Sequence, residues 1–571
     1  MSESIYDKLS KERKRLQKEG LVPEWFTTGG YSMFTQKYEY DTNGRSVRGQ
    51  FERIAKAAAK HLKGTKFEAE AESKFFDLMW NNWLSLSTPV MSNMGTDRAL
   101  PVSCSGGVVD DSINGFYRNR YETAILTKHG FGTSAYLGGI RPRGTPYGKD
   151  KKGTASGIWP VFKGHAQDMI DVSQGSQRRG AWAGYLEIEH NDFDEIYDHI
   201  YNDPDGMNVG WIITDAFLKR LQSGDRDAIR RYQRCLKMKM VVGRGYFWFV
   251  DRVNRKLPEP YKRAGMKNYA SNLCNEVALP ADNEHQFTCV LSSMLVHRFD
   301  EWKDTDAVYW ATIFLDCVAE EFIQRAKDIE GLEKTVRFTQ KARALGLGQA
   351  GFHTYLQDHM IPFESLEARM VSQQIAKHIW EESLRASQDM AKELGEPEWC
   401  RGFGVRNASR IAIAPTKSSA IMFGGVSEGI NPDPAMVFTQ KSAGGSIDRI
   451  VPSLLKIMKE RGVYNKRTIK TITERFGSVQ HVDWLSDDEK AVFKTAFEIN
   501  QKTVVNLASA RGRYIDQWQS LNLFFAAEER PEWISEVHQQ AFEDPNILGL
   551  YYIYTQAGIG AAKETECVAC Q

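Results

Sequence analysis

The chain has 571 residues, and its 74 basic and 73 acidic side chains leave a formal net charge of only +1. This balance gives no support to sequence-independent nucleic-acid binding, which needs clustered positive charge. The sequence has no uninterrupted apolar run of about 18 residues, the length of a membrane-spanning helix, and its charged N-terminus lacks the apolar core of a signal peptide. We therefore expect a cytoplasmic protein with neither membrane nor nucleic-acid partners.

Apolar residues three and four positions apart predict three N-terminal helices, over 2–19, 50–63 and 67–87. Beyond them, β-prone runs alternate with helical stretches. The predicted strands are 102–109, 132–140, 181–189 and 207–214, and the predicted helices are 112–128, 159–172, 192–201, one starting at Asp215, and 306–328. Strand–helix alternation over about 450 residues predicts an α/β architecture with parallel pairing.

The cysteines are unevenly spaced, and in a cytosolic chain they are not expected to form structural disulfides. Only Cys567 and Cys570 form a C-x-x-C pair, and no second pair or histidine pair completes a zinc site. They lie in a small, polar, glycine-containing stretch, 555–571, whose composition is typical of a mobile tail. We therefore expect redox use of these thiols and no bound metal.

Two glycine-containing motifs and a hydroxyl-rich one suggest sites. "GLGQAG" (346–351) matches a dinucleotide-binding pattern, but the charged segment before it is a poor central strand, which favours close packing as the reason for its glycines. "PTKSS" (415–419) combines hydroxyls and a lysine with a following helical run, which is consistent with either an N-cap or an anion site. The basic loop 141–157 is either a solvated connection or a functional loop.

The stretch "SNLCNEVALP" (271–280) places polar residues inside an apolar run. If it is extended, Asn272, Cys274 and Glu276 project from one face, and an amide, a thiol and a carboxylate meet. Burial of the amide and carboxylate is costly unless they are paired. The pattern therefore predicts a chemical site at Cys274.

"STPVMSN", "SCSGGVVDDSI", "SNLCNEVALP", "PTKSS", "LYYIYTQ" and the terminal "CVAC" follow one another in the order found in a known family. Over about residues 85–571 the chain resembles the large (α) subunit of the aerobic ribonucleotide reductases. The resemblance implies a ten-stranded α/β barrel (88–554) with a central finger loop, a helical lead-in (1–87) and a redox tail (555–571). It also implies a short form without an N-terminal ATP cone, as in some viral or bacterial enzymes, and host cytoplasm if the source is viral.

The resemblance assigns catalytic roles to the three polar residues of the finger loop and to four further cysteines. Cys274 would carry a thiyl radical that removes the 3′ hydrogen of a ribonucleotide, Glu276 would act as general base and Asn272 would hold the sugar. Cys104 and Cys289 would supply two electrons by closing a disulfide. The tail cysteines would reset that pair with electrons from a thioredoxin- or glutaredoxin-type reductant.

The resemblance also implies binding sites for substrate and effector. The substrate residues would be Thr88, Ser103, Pro415, Thr416, Lys417, Ser418 and Ser419. A deoxynucleoside triphosphate or ATP would bind Asp111, Ser112 and Arg141, and loop 202–208 would carry its signal to the substrate. The family's second basic effector contact falls near Gly148, which is a departure. A homodimer is expected.

The leading hypothesis is that the chain is the catalytic subunit of a class I reductase, which makes DNA precursors from ribonucleotides. We expect its substrates to be the ribonucleoside diphosphates. A separate metal-containing β subunit would supply the radical through Tyr552 and Tyr551, so no cofactor is bound permanently. One alternative is a cobalamin-dependent reductase, which needs no tyrosine pair. A non-catalytic nucleotide-binding regulator is another, and a dithiol oxidoreductase based on "CVAC" would leave 415–419 unexplained.

Overall fold

The computed structural model describes residues 5–40, 46–172, 180–204, 207–442 and 445–556. The helices within these ranges are α1 (Ile5–Lys18), α2 (Thr28–Met33), α3 (Val47–Ala59), α4 (Glu68–Trp80), α5 (Thr88–Asn93), α6 (Ile113–Lys128), α7 (Trp159–Asp171), α8 (Phe193–Asn202), α9 (Asp215–Gln222), α10 (Arg226–Val241), α11 (Val250–Lys256), α12 (Glu259–Arg263), α13 (Phe299–Trp302), α14 (Ala307–Ala326), α15 (Glu333–Ala342), α16 (Phe352–Asp358), α17 (Leu366–Leu394), α18 (Lys417–Met422), α19 (Pro452–Glu460), α20 (Lys466–Glu474), α21 (Asp487–Val492), α22 (Gln501–Arg511) and α23 (Pro531–Glu543). Among them, none is both long and apolar enough to cross a membrane.

Most of the strands belong to one curled sheet. The described strands are β1 (Leu84–Leu86), β2 (Cys104–Val108), β3 (Gly132–Tyr136), β4 (Pro146–Tyr147), β5 (Gly153–Thr154), β6 (Trp182–Glu187), β7 (Asn208–Ile213), β8 (Tyr246–Phe249), β9 (Phe287–Leu295), β10 (Leu345–Ala350), β11 (Val437–Ser442), β12 (Gly445–Ile450), β13 (Leu523–Phe525), β14 (Gly549–Leu550) and β15 (Ile553–Thr555). Strands β2, β3, β6, β7 and β8 are parallel neighbours in that order. At the edge of this group, β2 pairs with β9 in antiparallel fashion, and β9 pairs with β10 in parallel.

Backbone hydrogen bonds continue the ring beyond β10. Leu345 N and Leu347 N donate to the carbonyls of the extended segment 409–413, which in turn exchanges bonds with 517–520. Strand β13 then pairs in parallel with β15, and β14 returns antiparallel to β8. Five strands from β2 to β8 and five extended segments (β9, β10, 409–413, 517–525 and 549–555) thus close an α/β barrel. The expected barrel with a helical region before it is confirmed.

The N-terminal helices differ in detail from the predicted ones. Helix α4, which was predicted over 67–87, stops at Trp80 because Asn82 takes a left-handed backbone conformation (φ 60°). The last residues of the stretch predicted as helix, Leu84–Leu86, instead form β1, which pairs with β9. Helices α6, α7, α8 and α14 each begin and end within two residues of the predicted bounds. The periodic pattern was therefore reliable within long helices and misleading where a helix ended.

The finger loop enters the barrel between α12 and β9. Its tip, 271–277, is fully buried and is contacted from both halves of the ring. Ser134 Oγ on β3 donates to Ser271 O at 2.8 Å, and Trp518 N, in the opposite half, donates to Glu276 O at 2.9 Å. The loop is thus held at the centre of the barrel rather than at its rim.

Candidate active site

A tight turn at the tip of the finger loop organises the site. The Oδ1 atom of Asn272 accepts hydrogen bonds from the backbone N–H groups of Glu276 and Val277, both at 3.1 Å. Asn275 has a positive φ of 63°, and its N–H donates to Asn272 O at 3.3 Å. The prediction of an extended segment was therefore wrong. Asn and Asp tolerate left-handed backbone and bond locally to their own chain, which favours a turn here.

The turn nevertheless brings the predicted amide and carboxylate together. Asn272 Nδ2 donates to Glu276 Oε1 at 3.0 Å, and both side chains are completely buried. Ser520 Oγ lies 3.2 Å from Glu276 Oε2 and donates to the backbone carbonyl of Cys274 at 2.7 Å. Tyr185 on β6 donates its hydroxyl to Asn272 O at 2.7 Å. The turn is thus fixed by side chains from both halves of the barrel.

Burial gives the Glu276 carboxyl an unusual proton affinity. Loss of solvation raises its pKa to about 7, against the opposing effect of hydrogen bonds from Asn272 and Ser520. A carboxyl group that titrates near neutral pH can accept a proton in one step and release it in the next. Cys274, two residues earlier, is 1% exposed, and it lines one cavity together with Glu276.

Cys104 and Cys289 face each other in the antiparallel pairing of β2 and β9, where their Cα atoms are direct partners. Both are present as thiols. Asn272 Nδ2 lies 3.5 Å from Cys104 Sγ, and Gln517 Nε2 lies 3.6 Å from Cys289 Sγ. Burial raises the pKa of the Cys289 thiol well above its usual range. Directly opposed residues have Cβ atoms about 5 Å apart, so these thiols can close a disulfide with little backbone movement.

A cavity beside the finger tip connects these groups to the predicted substrate residues. It is lined by Cys104, Cys274 and Glu276 and by the hydroxyl residues Thr88, Ser103, Thr416 and Ser419. Thr416 has a left-handed backbone (φ 57°), and its Oγ1 accepts from Gly429 N at 2.8 Å. The structure therefore places four of the seven predicted substrate residues around one cavity.

The remaining residues of the hydroxyl-rich motif do not line this cavity. Pro415 and Ser418 flank the lining residues, and the Lys417 amine lies 5.2 Å from the centre of the Tyr554 ring. Four cavity serines were missed from the sequence: Ser85, Ser87, Ser292 and Ser293. The alternation "LSLS" (84–87) carries a usable signal, because a strand with that pattern places both its hydroxyls on one face.

"GLGQAG" is strand β10 itself, with its last glycine just after the strand, and it follows helix α15. A Cβ atom on Gly346 would lie 2.7 Å from Cys289 Sγ and 2.3 Å from a methyl carbon of Leu291. Close packing is thus the reason for this glycine, as the sequence favoured. The cysteines outside the motifs (Cys235, Cys317 and Cys400) are buried in the core.

Tyr551 and Tyr552 lie next to each other on the segment that closes the barrel. Their ring centres are 4.1 Å apart; Tyr551 is buried and Tyr552 is partly exposed. On the same segment, a Cβ atom on Gly549 would lie 2.4 Å from Asn275 Oδ1, so the segment runs directly against the finger tip.

The predicted effector residues come together away from the cavity. Arg141 Nε donates to Asp111 Oδ2 at 2.6 Å, and Ser112 caps α6 by accepting from Gly115 N at 3.0 Å. The loop 141–157 folds into the exposed hairpin β4–β5. Residues 205–206 of loop 202–208 and the tail cysteines, Cys567 and Cys570, lie outside the described residues.

The α/β barrel thus holds the groups of a thiol-dependent redox enzyme: an opposed thiol pair, a third cysteine, a carboxyl that titrates near neutral pH and a hydroxyl-lined cavity. Comparison with known proteins identifies the family of this enzyme. The family model of the ribonucleotide reductase barrel domain matches residues 102–230, 226–403 and 398–553, and that of the all-alpha domain matches 24–99. The chain belongs to the ribonucleotide reductase family.

Its relatives are large subunits. The chain is 32% identical over 536 residues to a frog virus 3 protein named as a ribonucleoside-diphosphate reductase large subunit, covering 88% of this chain and 93% of the relative. It is 28% identical over 589 residues to the large subunit of Invertebrate iridescent virus 3, covering 87% and 92%. The solved structure of the Actinobacillus ureae class Id ribonucleotide reductase alpha subunit is similar, with a TM-score of 0.85 and 36% identity over 94% of this chain and 98% of that one.

Proposed function

We propose that the chain is the catalytic subunit of a class I ribonucleotide reductase that converts ribonucleoside diphosphates to 2′-deoxyribonucleotides. The observation that carries the proposal is the convergence of Cys274, Glu276 and Cys104 on one cavity, with Cys289 directly opposite Cys104. The diphosphate is chosen because the viral relatives carry that substrate in their names.

The site residues divide the reaction among them. A thiyl radical on Cys274 takes the hydrogen from C3′ of the ribose, which leaves a thiol and a carbon radical. Glu276 accepts the proton of the 3′-hydroxyl, while the Asn272 amide, already bonded to Glu276 Oε1, orients that carboxylate and the sugar. The 2′-hydroxyl then takes a proton from the Cys104–Cys289 thiol pair and leaves as water.

The opposed thiols complete the reduction. Cys104 and Cys289 deliver two electrons and two protons, one proton to the leaving hydroxyl and one to C2′, and form a sulfur–sulfur bond. Glu276 returns its proton to the 3′ oxygen, and Cys274 returns its hydrogen to C3′, which regenerates the thiyl radical. Because the pair is buried, it needs a carrier for reduction. We assign that task to Cys567 and Cys570, recharged by a thioredoxin- or glutaredoxin-type protein.

The binding residues follow the same proposal. Thr88, Ser103, Thr416 and Ser419 line the cavity and would bind the sugar and phosphates, with Pro415, Lys417 and Ser418 completing the loop. Asp111, Ser112 and Arg141 would bind a deoxynucleoside triphosphate or ATP that selects the base. The chain would act as a homodimer in the cytoplasm, which would be the host's cytoplasm if the source is viral. We also propose that the helical region ends at residue 87 and the barrel domain at residue 554.

The radical would come from a separate metal-containing β subunit through Tyr552 and Tyr551, which are in ring contact. The likeness to a class Id alpha subunit favours this over the cobalamin-dependent alternative. Retention of the full thiol, amide and carboxylate set favours an enzyme over a nucleotide-binding regulator. The proposal also includes that this chain binds no cofactor permanently.

Substitution of either tyrosine tests the proposal, because phenylalanine keeps the ring and removes the proton-bearing hydroxyl. We expect Tyr551→Phe and Tyr552→Phe to fold, bind nucleotides and bind the β subunit, yet form no product. Near-normal activity in both variants, or activity of the chain with adenosylcobalamin alone, would reject the class I assignment. Deoxynucleotide formation by Cys274→Ser would reject the thiyl mechanism itself.

A further inference from the structure

The amide of Gln517 contacts one sulfur of the opposed thiol pair from a distant part of the chain. Gln517 is completely buried, and its Nε2 donates to Cys289 Sγ at 3.6 Å. The same nitrogen donates to Leu345 O at 2.8 Å. Because a carbonyl oxygen can only accept, this second bond fixes which end of the amide faces the sulfur. Cys289 thus has an N–H donor held on its sulfur by the fold.

The two sulfurs of the pair differ in access. Among the described residues, Cys104 belongs to the wall of the active-site cavity and Cys289 does not. Cys104 lies on β2, and β9, which carries Cys289, has β10 on its other side. There the backbone packs so closely that a Cβ atom on Gly346 would lie 2.7 Å from Cys289 Sγ. The far side of Cys289 is therefore closed by protein, whereas Cys104 is reached from the cavity.

We infer that Gln517 stabilises Cys289 as the leaving thiolate when the disulfide of the pair is reduced, and that the incoming thiolate attacks Cys104. This inference rests on the proposed function, in which each turnover closes that disulfide. An attacking thiolate approaches along the sulfur–sulfur axis, so access to the far side of each sulfur decides which one is attacked. The cavity leaves only Cys104 open to such an approach.

The electrons and protons of this step are accounted for by a dithiol reductant. One thiolate of the dithiol forms a bond to Cys104 Sγ while the bond between the two cysteines breaks, and the electron pair of that bond goes to Cys289 Sγ. The Nε2–H group of Gln517 donates to the new anion. The second thiolate of the dithiol then attacks the mixed disulfide and frees Cys104. The two cysteine thiolates finally take up the two protons that the dithiol has lost.

Gln517 acts at the sulfur on which negative charge develops. Burial raises the pKa of the Cys289 thiol well above its usual range, and the hydrogen bond from Gln517 lowers it. A leaving thiol of lower pKa departs faster. Because hydrogen bonds to charged groups are stronger than those between neutral groups, loss of this donor should slow the exchange by about tenfold or more.

The attacked sulfur can be identified by chemical trapping. The full-length Cys567→Ser/Cys570→Ser chain is oxidised by one turnover with substrate, effector and its β subunit, and is then treated with 2-mercaptoethanol. The reaction is stopped with acid at short times, free thiols are alkylated, and the peptides are analysed by mass spectrometry. We expect a Cys104–Cys289 disulfide before treatment, and mercaptoethanol on Cys104 with alkylated Cys289 after it. Absence of the disulfide would reject the proposed function, whereas mercaptoethanol on Cys289 would overturn only this inference.

A pair of variants tests the donor itself. Gln517→Leu removes the amide with little change in volume. The matched control is Gln519→Leu, because Gln519 is an equally buried glutamine whose Nε2 donates to Ala508 O. Each chain is oxidised by one turnover and mixed with dithiothreitol, and the recovery of thiols is followed over time. Melting temperatures of both variants control for a general loss of stability.

We expect the control to recover its thiols at the rate of the unmodified chain, and Gln517→Leu to recover them about tenfold more slowly. Equal rates in the two variants would overturn the role of Gln517. If Gln517→Leu does not fold, the trapping experiment still decides the inference, because it leaves Gln517 in place.

Discussion

The buried carboxyl of Glu276 has a stability cost that can be measured. Burial raises its pKa from 4.5 to about 7, so the folded state holds this proton more strongly than the unfolded chain does. The stabilisation that this proton gives the folded state is fully present below pH 4.5 and is lost as the pH rises through 7. Relative to low pH, a difference of about 2.5 pKa units therefore lowers the free energy of unfolding by about 3 kcal/mol at pH 8, and by about half that at pH 5.5.

Glu276→Gln removes this cost, because the amide keeps the shape and cannot ionise. Its oxygen can accept from Asn272 and its nitrogen can donate to the Ser520 hydroxyl, the two partners of the present carboxylate. For 571 residues, the unfolding entropy of about 1.2 kcal/mol per kelvin converts the change into a Tm increase of about 3 °C at pH 8 and about 1 °C at pH 5.5.

The assay is differential scanning calorimetry of both proteins at the two pH values, with the exposed Glu528→Gln as a control that should not shift Tm. The variant should form no product, because it has lost the proton acceptor. In the unmodified enzyme, kcat/KM should rise with pH with an apparent pKa near 7. A variant no more stable than the unmodified chain, or a difference that does not grow with pH, would refute the reasoning.

Three further predictions concern the surroundings of the site. Gly346→Ala should slow turnover and destabilise the fold by about 1–3 kcal/mol, because its Cβ would press on Cys289; Gly29→Ala, which has space, should do neither in steady-state and melting assays. Asp316→Asn should lower Tm by about 3–4 °C in the same calorimetry, since the buried carboxylate pairs with Arg343 and Arg406; Arg343 would keep Glu320 as a partner, whereas Arg406 would lose its counter-charge. An unchanged Tm would contradict this. Truncation after Lys563 should allow one turnover per reduced site and then stop with thioredoxin, with partial rescue by dithiothreitol; sustained cycling with thioredoxin would disprove the shuttle.

Local sequence was sufficient for much of the fold. Helices such as α6 and α14, and strands such as β6, lie close to their predicted bounds, because side-chain periodicity is a property of neighbouring residues. The barrel segments 409–413 and 517–525 were not predicted. They are short and irregular, and their identity as strands depends on hydrogen bonds to partners far away in the chain.

The chemical groups of the site could likewise be predicted from the sequence, whereas their geometry could not. The types and order of Asn272, Cys274 and Glu276 indicated an amide, a thiol and a carboxylate at one place, and the structure makes them converge through a turn rather than a strand. The opposition of Cys104 to Cys289 depends on the register of two antiparallel strands. A register is set by packing across the whole barrel, and a single-residue slip would move the side chains to the other face.

Tyr246 shows the limit most clearly. Nothing near Tyr246 in the sequence predicts that its ring contacts those of Tyr551 and Tyr552, because apolar and aromatic residues surround it in "GYFWFV" (245–250). Only closure of the barrel brings β8 beside the segment that carries Tyr551 and Tyr552. The sequence by itself determined which groups are available for the chemistry, while the tertiary structure decided which of them touch, because contacts between distant segments follow from the packing of the complete chain.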